Sequence, residues 1–165
     1  MKREYEMVLE NLARAGWKAE RLPRRRRVPR EILTRYPGMP SDYREFIEWI
    51  RNVDSPDDKA WFVTSSIFSG TTDCAYAWNE WEKQSLEAAE ANRPLAKRIR
   101  KFWDRYLPVV MTVKSGYAYF ALDLKTGKIV HGEEPEYEET SPFAASLKEL
   151  FSLLSERDPR TELWV

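Results

Sequence analysis

The chain has few of the side chains that build disulfides and zinc sites. Its 165 residues include one cysteine, Cys74, and one histidine, His131. A disulfide within the chain is therefore excluded. A structural zinc site, which needs four nitrogen or sulfur ligands, cannot be assembled either. The lack of paired cysteines fits a reducing compartment. We therefore predict a cytoplasmic protein without a bound metal ion.

The chain also lacks an excess of charge and a long apolar run. It carries 27 basic and 27 acidic residues, so its formal net charge is zero. A neutral chain argues against a general nucleic-acid or membrane-surface binder. No apolar segment is long enough to span a bilayer, and none near the N-terminus resembles a signal peptide. We therefore predict neither membrane nor nucleic acid as a partner.

Motifs of common enzyme classes are missing as well. The sequence contains no GxSxG, no GxxxxGK[ST] and no GxGxxG pattern. Nucleophilic catalysis by Cys74 with His131 as base would require the two to meet, and we expect His131 at the surface, at the end of a strand. The nearby carboxylates Glu80 and Glu82 are typical of an exposed surface. We therefore predict that the protein is not an enzyme and needs no cofactor.

The clearest periodic pattern lies between residues 117 and 124. Ala118, Phe120 and Leu122 alternate there with Tyr117, Tyr119 and Asp123, which predicts a half-buried strand. The Lys-Thr-Gly sequence at 125–127 predicts a hairpin into a strand at 129–130, because glycine accepts positive φ.

The remaining segments predict mostly helices. Ser141 is expected to cap a closing amphipathic helix with Pro142 in its first turn. Ser41 is expected to cap a helix that runs to Ile50. The other predicted elements are helices near 5–12, from Trp78 to Ala91 and from Leu95 to Trp103, with strands at Trp61–Ser65 and Val109–Val113. This mixture predicts an α+β fold with a central, mainly antiparallel sheet flanked by helices.

The length of the chain predicts one domain, 1–165. Residues 1–30 form its N-terminal helix and a basic linker, residues 31–155 its core, and residues 156–165 a C-terminal tail. The linker contains the run Arg24–Arg27. Such a run could bind phosphates, but four residues on a neutral protein are more typical of a solvated linker whose arginine stems pack on the neighbouring surface.

Three segments together resemble the SUKH superfamily, which includes Smi/Knr-type cell-wall regulators and bacterial immunity proteins. Residues 36–47, Tyr-Pro-Gly-Met-Pro-Ser-Asp-Tyr-Arg-Glu-Phe-Ile, are similar to the leading "LP-x-x-Y-x-x-F-L" helix of that family. Residues 107–109 and 115–123 resemble its strand pair with a glycine turn and an "LD" end. Residues 126–130 and the helix expected at 143–154 are similar to its closing segment. The sequence departs from the family pattern at 52–54, where Asn-Val-Asp replaces Asn-Gly-Gly.

The resemblance implies an α+β fold, no shared catalytic residues and a protein partner. Many members of the family bind and neutralise a cognate toxin, often a nuclease or a deaminase. The resemblance therefore predicts an immunity protein, with a regulatory interaction module of the Smi/Knr type as the alternative. The aromatic residues would serve a homodimer as well as a foreign partner.

Two groups of residues are candidates for the partner-binding surface. The first is an acidic loop with five glutamates around one tyrosine, which could steer onto a basic nuclease surface: Glu133, Glu134, Glu136, Tyr137, Glu138 and Glu139. The alternative for this loop is a solvated connection. The second group is aromatic and consists of Trp78 and Trp81, expected on one helix face, with Tyr117 and Tyr119. Core packing is the alternative for these side chains.

Overall fold

The computed structural model describes all 165 residues. Helices and strands alternate irregularly along the chain. They are α1 (Arg3–Arg14), β1 (Lys18–Arg21), α2 (Arg30–Arg35), α3 (Ser41–Trp49), β2 (Ile50–Asp54), β3 (Ala60–Phe62), α4 (Ser65–Phe68), α5 (Glu80–Ala89), α6 (Arg93–Arg105), β4 (Tyr106–Thr112), β5 (Ala118–Asp123), β6 (Ile129–Glu133), β7 (Ser141–Ala144) and α7 (Leu147–Ser155).

All seven strands form one antiparallel sheet, and their order in the sheet equals their order in the chain. β4 and β5 pair from Tyr106 opposite Asp123 to Thr112 opposite Ala118. Gly116 and Gly127, with φ of 98° and 75°, lie in the connections on either side of β5. Side chains rarely adopt these angles, so the two glycines make the tight returns possible. The predicted α+β class with an antiparallel sheet and flanking helices is confirmed.

Helices cover the sheet through two separate aromatic contacts. Phe46 of α3 lies 6.0 Å from Phe151 of α7, and Phe151 lies 5.7 Å from Phe62 of β3 (ring centroids). In the other contact, Trp103 of α6 lies 4.8 Å from Tyr119 of β5. Every residue of β5 is buried. The expected half-buried strand is therefore wrong, because helices or the C-terminal segment cover both faces of β5.

The closing helix begins later than the sequence predicts. Ser141 and Pro142 belong to β7, where Pro142 lies opposite Val130. β7 is an edge strand, and an edge strand tolerates a proline that cannot donate a hydrogen bond. The cap of α7 is Ser146, whose Oγ accepts a hydrogen bond from the Glu149 amide at 3.2 Å.

Two other helix starts also differ from the prediction. Ser41 is the first residue of α3 rather than its cap, which is Pro40. α5 begins at Glu80, so Trp78 precedes the helix and does not share a helix face with Trp81. Trp78 instead packs against Phe68, with ring centroids 5.4 Å apart.

Four elements have no predicted counterpart in the sequence: the edge strand β1, its neighbour β2 and the short helices α2 and α4. Each residue of β1 is exposed, so the strand has no apolar alternation to reveal it. β2 follows α3 without an intervening loop. The basic linker at 22–29 has no regular structure, but it is held locally. Glu48 of α3 is buried and accepts hydrogen bonds from Arg25 Nε at 2.7 Å and from the Val28 amide at 2.9 Å.

The C-terminal segment packs onto the sheet. The Trp164 ring lies 4.2 Å from the His131 ring (centroids), and the Trp164 carbonyl accepts a hydrogen bond from the Thr112 hydroxyl. Ser115 donates at 2.6 Å to the Leu163 carbonyl. These contacts bury His131, which therefore does not lie at the surface as expected. None of the seven helices has the length and apolar character needed to cross a membrane.

Candidate functional site

The acidic loop, residues 133–140, begins at Glu133, which is the last residue of β6 and lies opposite Ala118, and leads to β7. Tyr137 holds the loop to the protein. This side chain is 3% exposed and stacks in parallel on Trp81, with centroids 5.7 Å apart and ring planes 6° apart. Its hydroxyl donates to Gln84 Oε1 at 2.8 Å. Its carbonyl accepts a hydrogen bond from the Tyr119 hydroxyl. Tyr137 is therefore the internal support of the loop.

Two of the five glutamates also hold the loop in place. Glu138 is half-buried, and its Oε1 accepts a hydrogen bond from Trp103 Nε1 at 2.8 Å. The Glu134 carboxylate accepts from the Tyr117 amide at 3.0 Å, and the Glu134 amide donates to the Tyr117 carbonyl at 2.8 Å. Burial, reinforced by the Glu134 carboxylate, raises the pKa of Tyr137, so its hydroxyl remains a donor.

The other three glutamates are Glu133, Glu136 and Glu139. All are exposed, and none forms an ion pair with a basic side chain. They project from a backbone that its neighbours fix on both sides. The result is a local negative surface with little freedom to rearrange.

Next to this surface lies an aromatic cluster formed by Tyr76, Trp81, Tyr117 and Tyr137. Trp81 is at its centre, with the Tyr117 ring stacked at 4.7 Å on it and Tyr76 at 5.5 Å. Trp81 is 1% exposed, and its buried Nε1 donates at 3.2 Å to the Ala118 carbonyl in the sheet. Tyr76 and Tyr117 are half-buried and form the part of the cluster that reaches solvent.

The structure separates the predicted aromatic candidates by position. Trp81 and Tyr119 are in the core, as the packing alternative supposed. Trp78 is half-buried and lies away from the loop, beside Tyr36 and under the Arg35 guanidinium, 5.6 Å from its ring centroid. Of the four predicted aromatic residues, only Tyr117 both borders the acidic loop and reaches solvent.

Sequence reasoning missed Tyr76, Gln84 and the role of Glu82. Tyr76 lies in the irregular segment before α5, where no periodicity marks its side chain. Glu82, predicted to be an ordinary surface carboxylate, is 5% exposed and makes a bidentate ion pair with Arg35 at 2.7 and 2.8 Å. Arg35 also bonds to Asp104 of α6 at 2.9 Å. This pairing between helices α2, α5 and α6 carries no signal in the local sequence.

The remaining reactive groups do not assemble. Cys74 borders a groove of about 560 Å³ whose lining includes Asp54 and Tyr76 but not His131. Burial raises the pKa of the Cys74 thiol, which is the opposite of what activates a nucleophilic cysteine. Burial also lowers the pKa of His131 to about 4, and its Nε2 has no partner. No three His, Cys, Asp or Glu side chains are grouped so that they could hold a metal ion.

Comparisons of the chain with protein-family models, with curated proteins and with solved structures find no match. The geometry of the acidic loop and the aromatic cluster therefore carries the functional argument.

Proposed function

We propose that this protein is a non-enzymatic protein-binding domain and that its partner is a bacterial toxin, which it neutralises as an immunity protein. The observation that carries the proposal is the support of the acidic loop by Tyr137. A loop that is ordered before binding loses less conformational entropy when a partner docks. Exposed carboxylates on such a loop suit the recognition of a basic protein surface.

The chemistry of the surface favours a basic partner. Glu133, Glu136 and Glu139 give it local negative charge, and Tyr76 and Tyr117 add amphipathic rings beside it. Complementary charge speeds the encounter of two proteins, whereas aromatic side chains near the centre of an interface supply much of the affinity. Nuclease toxins are suitable candidates because their active sites bind phosphates and are commonly basic. The SUKH resemblance supports this choice and implies a partner encoded close by.

Co-expression tests the immunity function directly. A candidate toxin from a neighbouring reading frame is induced in a host that also carries this protein, and cell survival is measured. We expect survival with this protein and death without it. Death in both cases, with the two proteins expressed and folded, would contradict the proposal. Recovery of signalling or envelope proteins in a pull-down would instead favour the regulatory alternative.

The binding surface is tested by association kinetics with the purified toxin. In one variant Glu133, Glu136 and Glu139 are replaced by Gln. In the matched control three exposed, unpaired glutamates elsewhere, Glu4, Glu31 and Glu156, are replaced by Gln, with the same change in net charge. We expect the association rate of the loop variant to fall about tenfold at low salt and that of the control to stay within about twofold. Equal decreases in the association rates of the two variants would show that the net charge, and not the acidic loop, determines the rate.

A further inference from the structure

Helix α6 concentrates positive charge more strongly than any other element. Five cations lie within nine residues, namely Arg93, Lys97, Arg98, Arg100 and Lys101. All five are exposed. The apolar side chains Ile99 and Trp103 are buried against the protein, and the helical repeat places the five cations on the opposite half of the helix. The result is a basic face on a chain whose formal net charge is zero.

These cations differ from many others on the surface because they have no acidic partners. Lys18, Arg21, Arg51 and Arg160, for example, each form an ion pair of 3.0 Å or shorter. No ion pair or side-chain hydrogen bond involves the five cations of the basic face. The only acidic residue of α6, Asp104, is bound to Arg35. The basic face is therefore free to meet an anion.

The basic face opposes the stability of its own helix. Arg93 is the first helical residue, and the first turn of α6 contains no acidic side chain, although the N-terminus of a helix favours negative charge. Lys97 lies four residues from both Arg93 and Lys101, a spacing at which like charges repel. A charge arrangement that lowers the stability of a helix is expected where the charged residues have a function.

The composition of the face distinguishes between classes of anionic partner. Protein interfaces have apolar or aromatic cores, but the basic face consists of five exposed cations with no exposed large hydrophobic residue among them. Insertion into a membrane surface requires an exposed apolar helix face, and the apolar face of α6 is buried in the fold. Contacts to a nucleic-acid backbone need only cationic and polar side chains.

We infer that the basic face of α6 binds the phosphate backbone of nucleic acid without sequence preference. From Arg93 to Lys101 the helix rises about 12 Å, which matches about three to four nucleotides of one strand at 3.4 Å each. The net charge of the chain is zero because acidic residues elsewhere balance the cations of this face. A zero net charge therefore does not exclude nucleic acid as a partner of the basic face. The inference is independent of the proposed toxin binding, which uses the acidic loop.

The test is fluorescence anisotropy with a labelled 24-base-pair duplex of scrambled sequence, titrated with the full chain at 50 to 200 mM NaCl. We expect the logarithm of the association constant to fall linearly with the logarithm of salt concentration, with a slope of about −3 to −4. In a basic-face variant Arg93, Lys97, Arg100 and Lys101 are replaced by Gln. It should lose at least tenfold in affinity at 50 mM salt, with a slope smaller by about one for each phosphate contact removed.

A matched control removes the same charge elsewhere. Its substitutions to Gln are at four exposed, unpaired cations, Arg3, Lys125, Lys128 and Lys148, and we expect less than a threefold loss. Circular dichroism establishes that both variants are folded. Equal losses in the two variants would overturn the inference, as would no binding at 50 mM salt or equal affinity for polyglutamate. A salt-dependent loss confined to the basic-face variant would support it.

Discussion

Replacement of Tyr137 tests whether the acidic loop is held in place from within. The side chain is 3% exposed and stacks on Trp81, so its removal in Tyr137→Ala leaves a cavity beside the sheet. Large-to-small substitutions of buried aromatics cost about 3–5 kcal/mol. We expect about 3 kcal/mol, near the lower end, because the loop can collapse partly into the space. Tyr137→Phe keeps the ring and loses only the hydrogen bond to Gln84, so it should cost about 1 kcal/mol.

Urea unfolding monitored by tryptophan fluorescence gives these free energies, and amide hydrogen exchange reports on the loop itself. In the unmodified protein the Glu134 amide bonds to the Tyr117 carbonyl, and the Glu139 amide bonds to the Glu136 carbonyl. Both amides should exchange faster in Tyr137→Ala and remain protected in Tyr137→Phe. If Tyr137→Ala unfolds within 1 kcal/mol of the unmodified protein and both amides keep their protection, the loop does not depend on Tyr137, and the argument for preorganisation fails.

Three further predictions concern charge. Glu82→Ala should lower the free energy of unfolding, measured by urea titration, by about 3 kcal/mol, because the substitution leaves the Arg35 guanidinium without its buried partner. A decrease of less than about 1 kcal/mol would mean that water replaces the carboxylate. Burial lowers the pKa of His131 from 6.5 to about 4, so the folded protein favours the neutral ring. Above pH 6.5 the ring is neutral in both the folded and the unfolded chain, and no stability is lost. As the pH falls from 6.5 towards 4 the unfolded chain takes up a proton first, so the free energy of unfolding decreases. Allowing for partial solvent access, this decrease is about 2 kcal/mol. The free energy of unfolding of His131→Asn should therefore fall less between pH 6.5 and 4 than that of the unmodified protein. Parallel pH profiles of the two proteins would contradict the burial argument. Arg93→Glu should raise the free energy of unfolding by about 0.5–1 kcal/mol, because a carboxylate in the first turn of α6 complements the helix dipole and the like-charge pair with Lys97 becomes an attractive one. A decrease would show that Arg93 stabilises α6.

The sequence predicts the β4–β6 region well because its signals are local. Alternation of apolar residues and the glycines at 116 and 127 mark strands and turns without any knowledge of distant contacts. The residues of β7 misleadingly predict a helix, because a serine followed by a proline is a good helix start. The same pair also suits an edge strand, and only the pairing of Pro142 with Val130 distinguishes the two.

The sequence predicts the candidate site only in part, because its contacts join residues that are distant in the chain. The five glutamates of the acidic loop are visible as a charge run, but the sequence does not show that two of them bond to Trp103 and the Tyr117 amide. Burial of His131 depends on the C-terminal segment, 33 positions away in the chain at Trp164. The arrangement of Tyr76, Tyr117 and Trp81 likewise depends on three separate elements meeting.

The strand order of the sheet has a consequence for synthesis on the ribosome. Because each strand pairs with the strand made just before it, the sheet can grow by one strand at a time, in the direction of translation. The helical layer that includes α1 and α7 is different, since α1 is made first and must wait for α7. Until α7 emerges, Phe46 and Phe62 lack their contacts with Phe151. From the synthesis of Phe46 until α7 emerges, the nascent chain therefore exposes an aromatic surface that favours aggregation, and the docking of α7 closes it.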